Sequence, residues 1–137
     1  MKGNYLAKLT IWTAKPLLDA EFQANWTLTP IQYDGADFNE PHSDWVSIAL
    51  IPTDRKIVGF DGTLGGRKSE EGIIRVRTYS TSATQALALA GKVATFLECR
   101  ELNGLTIGVC EPDGGGAVPL DNSLYETEIT FNIKVIK

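Results

Sequence analysis

The run LYETEITFNIKVIK, from Leu124 to Lys137, constrains the fold more than any other stretch of the chain. In it Tyr125, Thr127, Ile129, Phe131, Ile133 and Val135 alternate with Glu126, Glu128, Thr130, Asn132 and Lys134. A period of two places one set on each side only when the backbone is extended, so the run is a long, half-buried strand. Such a strand is not stable alone. It needs neighbouring strands for its backbone groups and a covering layer for its apolar face.

The covering layer is legible in STSATQALALAGKVATFLECR. Ala86, Leu89, Ala90, Val93 and Leu97 recur at helical spacing, and Ser82 with Gln85 has the spacing of a capping box, which predicts a helix from about Ser82 to Glu98. A second helix is expected from about Asn4 to Asn25, with Leu6, Leu9, Thr13, Leu17 and Ala20 as its stripe and a kink or restart at Pro16. Neighbouring strands come from WVSIALIP, from a shorter piece KIVGF, from GIIRVRTYS, where Ile74 and Val76 oppose Arg75 and Arg77, and from LTIGVCEP after the turn Asn103-Gly104. Trp26 to Asp44 reads as a connecting arm with an extended piece at Pro30 to Tyr33, and DGGGAVPLDNS as a hairpin tip. The fold class is α+β: one domain over residues 1–137, a mostly antiparallel or mixed sheet with helices on one face and long hairpin loops.

The segment GTLGGRKS, Gly62 to Ser69, lies one residue from a phosphate-binding loop. Gly62, Lys68 and Ser69 fall in register with G-x-x-x-x-G-K-[ST], but Arg67 replaces the second glycine, where a side chain obstructs the anion's approach to the backbone. The residues after Ser69, EEGIIRVRTYS, alternate as a strand where a phosphate loop requires a helix N-terminus. Glu70 and Glu71 also stand where a phosphate would be repelled. A glycine-rich connection between strands is the expectation.

The remaining residues carry no catalytic pattern. The single histidine, His42, would have to be central to any nucleophile-and-base arrangement, and it sits in a polar, acidic stretch. Cys99 and Cys110 are too far apart in sequence for zinc spacing and are expected as reduced thiols. Asp34, Asp37 and Glu40 lack calcium-loop spacing, and Asp113 with Gly114, Gly115 and Gly116 precedes no helix. Catalytic, cofactor and metal sites are therefore expected to be absent. Trp12, Trp26 and Trp45 are expected in the core or an interface. A net charge of −4, with 17 acidic and 13 basic residues spread along the chain, gives no field for holding DNA or an anionic membrane. The start MKGNYLAKLTIWT lacks an apolar signal core, which predicts synthesis in a reducing cytoplasm.

In order, a helix, a proline-bearing arm, WVSIALIP, GTLGGRKSEEG, RVRTYS and QALALAGKVATFLE resemble the small tail terminator proteins of long, non-contractile-tailed bacteriophages. The likeness covers about Pro30 to Lys137, and the family's G-x-x-R-x-x-x-G loop character falls on Gly65 or Gly66, Arg67 and Gly72. The resemblance implies a structural virion protein of the phage tail, assembled in the bacterial host cytoplasm. Six copies would close into a ring on the head-proximal end of the tail tube. The ring would end tube polymerisation and dock head-completion or connector proteins, with DNA only passing through its lumen. It further implies an inter-subunit role for Gly65, Gly66, Arg67 and Lys68, the two cations meeting carboxylates of a neighbour; the alternative is an inert loop. Strand edges are expected to pair between copies. Two other readings stay open, a tail tube or head-tail connector subunit and a small-ligand-binding α+β module.

Overall fold

The computed structural model describes residues 10–33, 37–57, 68–112 and 116–136. The chain is an α+β protein. Its elements run α1 (Lys15–Asn25), β1 (Ile31–Tyr33), β2 (Trp45–Ile57), β3 (Lys68–Ser80), α2 (Ala83–Leu97), β4 (Glu101–Leu102), β5 (Leu105–Pro112), β6 (Val118–Pro119) and β7 (Tyr125–Ile136). The sheet order is β1-β2-β3-β7-β5-β4, with β6 also on β7. Among the described strands only the β1–β2 pair is parallel.

Register follows from the alternation. Ile74 lies opposite Leu50 and Phe131, and Val76 opposite Ile48 and Ile129, so the apolar set of each long strand falls on one face. Both helices cover that face. Leu89, Ala90, Val93 and Leu97 of α2 meet Val46, Ile48, Ile74, Val76, Ile129, Phe131, Ile133 and Val135 in one core, joined by Leu18 and Phe22 of α1. Ser82 caps α2 by accepting from the Gln85 N–H at 3.1 Å. The Gln85 side chain turns to the Ser80 hydroxyl rather than back to residue 82, so only half of the capping box forms. The Asn103-Gly104 turn has both residues at positive φ, 49° and 97°, as the tightest hairpins require.

Several expectations are refined or corrected. Pro16 does not kink a helix: α1 begins at Lys15 with Pro16 in its first turn, the restart alternative, where its missing N–H costs nothing. The buried stripe of α1 is Leu18 and Phe22, continued by Trp26, while Leu17 is half-buried and Ala20 exposed. Residues 4–9 of the expected helix lie outside the described residues. Lys56 and Ile57 of KIVGF are not a separate piece, because β2 runs without a break through them, with an extra residue bulged out between Pro52 and Asp54; Val58 to Phe60 lie outside the described residues. Finally, Glu70 does not face outward to repel anions. It is fully buried and accepts the Ile11 N–H at 3.1 Å, fixing the approach to α1 against the sheet.

Pro52, Gly72, Ile133 and Ile107 form one row across four strands. Both bulges, after Pro52 in β2 and after Ile107 in β5, begin on that row. Bulges bend strands and sharpen twist, so the row is a crease. Gly72 allows it: a Cβ there would stand 2.8 Å from the Ile51 carbonyl oxygen and 3.0 Å from Ile11 Cδ1.

Candidate assembly surface

The sequence-predicted site is only partly visible. Gly65, Gly66 and Arg67 lie outside the described residues, as do Gly62, Asp34, Asp113, Gly114 and Gly115. Lys68 is the first residue of β3, its backbone opposite Ile57. Ser69 and Glu70 follow it in the strand, so no helix begins after the phosphate-loop near-match.

What the structure brings together instead is the sheet face away from the helices. Register sets its rows. Trp45 lies beside Tyr79 and Glu126, Ser47 beside Arg77 and Glu128, Ala49 beside Arg75, Thr130 and Glu111, and Ile51 beside Ile73 and Asn132. Arg77 donates from Nε to Glu128 at 2.7 Å, and this bond, with the Glu128 charge, raises the guanidinium pKa further. Asn132 donates to the Glu111 carboxylate. Arg75 has Ala49 and Thr130 opposite it and no ion-pair partner among the described residues. The centre of the face is thus part apolar, with half-buried Ala49, Ile51 and Ile73, and part charged.

One end of this face is closed by the chain itself. Trp45 stacks on Tyr79 with ring centroids 4.0 Å apart, Phe38 leans on Trp45 at 5.0 Å, and Leu120 and Leu124 complete a second small core. Burial, and then a hydrogen bond to Glu126, push the Tyr79 hydroxyl well above its usual pKa. The other end and the middle remain uncovered by any described element.

The stretches of β2 beyond β1 and of β5 beside β4 are guarded, while β1 and β4 are the outermost strands. The Val46 N–H donates to Pro30 O at 3.2 Å, so even-numbered residues of β2 turn their backbone groups toward β1. Beyond β1 that side offers Leu50 and then Pro52, which has no N–H, followed by the bulge. At the opposite edge the turn after α2 covers β5. The Ile107 N–H donates to Arg100 O at 2.9 Å, Gly108 O accepts from the Cys99 N–H, and the Cys110 N–H donates to the Glu98 carboxylate at 2.9 Å. Proline, bulges and covering side chains are the usual devices against edge-to-edge addition.

On the helix side, Trp26 and Phe96 lie edge to face at 5.3 Å, and Arg100 rests over Phe96 while bridging to Glu21 at 2.5 Å. They border an open groove of about 640 Å³ along α2. Trp26 and Trp45 are buried as expected, whereas Trp12 is 65% exposed. His42 is exposed, both cysteines are free thiols, and burial followed by the charges of Glu98 and Glu111 raises the Cys110 pKa. Among the described residues no group of three or more His, Cys, Asp or Glu side chains is placed to hold a metal ion, and no helix is long and apolar enough to cross a membrane.

No family model matches the chain, and no curated protein matches it. A solved structure whose name carries no functional description superimposes on 90% of this chain and 96% of its own length, with a TM-score of 0.62 at 13% identity. At that identity the likeness shows the fold alone.

Proposed function

We propose that the protein is a tail terminator-type subunit, which assembles with copies of itself into a ring on the end of a phage tail tube. The observation that carries this reading is the two-layer build: helices cover one side of the sheet, while the middle of the other side is uncovered by any described element, mixed in charge and part apolar. A sheet face with half-buried isoleucines is stable in isolation but gains from being covered, the property of a surface that meets a partner. The guarded edges add to this. A subunit whose edge strands are short and whose longer strands are guarded beside them is suited to associate through its faces, and face contacts between different patches close into rings when the rotation allows. The resemblance in element order supplies the tail setting and the roles of tube and head-completion proteins as partners.

The ligand-module alternative would rest on the groove beside Trp26. Its volume is in the range of ligand sites, but its rim of Thr27, Leu28, Gly91, Lys92 and Thr95 is exposed, a shape suited to a protein surface. The test is genetic. Without the protein, an infecting phage is expected to accumulate filled heads without attached tails and tubes of uncontrolled length. Tails of normal length joined to heads, seen by electron microscopy, would refute the assignment.

A further inference from the structure

We infer that the outer face of α2 and its groove seat on the open sheet face of a neighbouring copy, so that each subunit joins the next through two different sides. The inference rests on the self-assembly part of the functional reading and names the surfaces that carry it. The positions of α2 turned from the core are Thr84, Leu87, Ala88, Gly91, Lys92 and Thr95, a solvent side with one charge where several are usual. Beside it Leu28 is 58% and Leu87 49% exposed. Gly91 lies in the middle of the helix, where glycine is unfavourable, yet a Cβ there would meet nothing within 4 Å. Nothing described within one copy explains that glycine; a surface pressed closely against α2 does.

The occupant follows from what the chain offers. The sheet already accepts the inner side of α2 on one face, and Ala49, Ile51 and Ile73 give the other face a similar apolar centre. Charge selects among pairings. Among residues whose side chains are described the open face carries Glu71, Glu101, Glu111, Glu126 and Glu128 against Arg75, Arg77 and Lys134, two carboxylates in excess, and the helix face brings Lys92. Two helix faces set against each other would add positive charge to positive, and two sheet faces would add net negative to net negative. The helix-to-sheet contact avoids both. Because the two patches lie on opposite sides of the molecule, it is head-to-tail and propagates or closes into a ring.

The experiment uses two variants of the whole chain that each disable one side: Leu87→Glu on the helix and Ile73→Glu on the sheet, with Thr130→Lys as a second sheet variant should the first fail to fold. The wild type is expected to associate with rising concentration in analytical ultracentrifugation. Each variant alone is expected to associate about tenfold or more weakly, because its charge must be buried in the contact. An equimolar mixture of a helix variant and a sheet variant retains one intact contact and is expected to form a heterodimer that neither forms alone. A mixture that stays monomeric, a variant that self-associates as strongly as the wild type, or a wild type monomeric at its highest soluble concentration each overturns the inference. The measurement needs only purified protein. A normal-tail phenotype would refute the tail assignment and leave the contact standing; a monomeric mixture would refute the contact and leave the tail assignment to its own test.

Discussion

Replacing Gly72 by alanine tests the crease directly. The backbone there is not in the left-handed region, so the demand for glycine is one of space rather than φ. The new methyl carbon would sit 2.8 Å from Ile51 O, 3.0 Å from Ile11 Cδ1 and 3.2 Å from Ile11 Cγ1. Ile11 can turn aside, but Ile51 O belongs to a strand paired with β3, so β2 and β3 must separate locally. Overpacking of this kind costs about 1–3 kcal/mol. Alanine returns about 0.4–1 kcal/mol by narrowing the unfolded ensemble. The expected net loss is about 1–2 kcal/mol, read as a lower urea midpoint at unchanged slope. An unchanged or raised midpoint would show that the sheet at this row has slack, and the reasoning from close approach would fail.

Gly91→Ala should do the opposite: with open space around the site it should stabilise the single copy by about 0.5–1 kcal/mol in the same assay. Phe131→Ala, at a fully buried position between β3 and β5, should cost about 3–5 kcal/mol, and a Tm that hardly moves would remove it from the core. Ser82→Ala should lose about 1 kcal/mol with the α2 cap, measured by thermal unfolding. Tyr79 gives a pH prediction. Its hydroxyl keeps its proton in the folded protein above the unfolded value of 10.0, so its contribution is complete below pH 10.0 and declines as the pH rises beyond it. Tyr79→Phe should flatten the alkaline loss of stability seen by urea unfolding above about pH 10, the unfolded value from which the loss begins; an equally steep loss would assign it to other groups.

What could be read from sequence was what is local. The α2 stripe, its serine cap, the Asn103-Gly104 turn and the alternation of β7 depend on residues within a few positions of one another, and each stands as expected. The errors came where a distant contact decides. Pro16 is equally compatible with a kink and a first turn, and the choice lies in the packing of Leu18 and Phe22 on α2 and the sheet. The polar Thr53 to Lys56 stretch has no strand pattern; pairing with β3 makes it one. Alternation puts Glu70 on the face of Ile74 and Val76 and Glu71 on the other, but only the arrival of Ile11 gives the buried carboxylate its donor. The open sheet face was legible as the polar half of two alternating strands, Arg75 with Arg77 and Glu126 to Lys134. Its extent and its missing cover were not, because they depend on which side both helices choose.

The Ile11–Glu70 bond also orders events in time. It spans 59 positions of sequence, whereas α2 and the hairpins close over a few. Its acceptor reaches its buried place only once β3 has neighbours on both sides, so the segment entering α1 has nowhere to anchor until the sheet exists. In a refolding experiment with pulsed hydrogen exchange, the Ile11 amide is expected to gain protection after those of β3 and β7. The chain begins at its N-terminus and is expected to finish there.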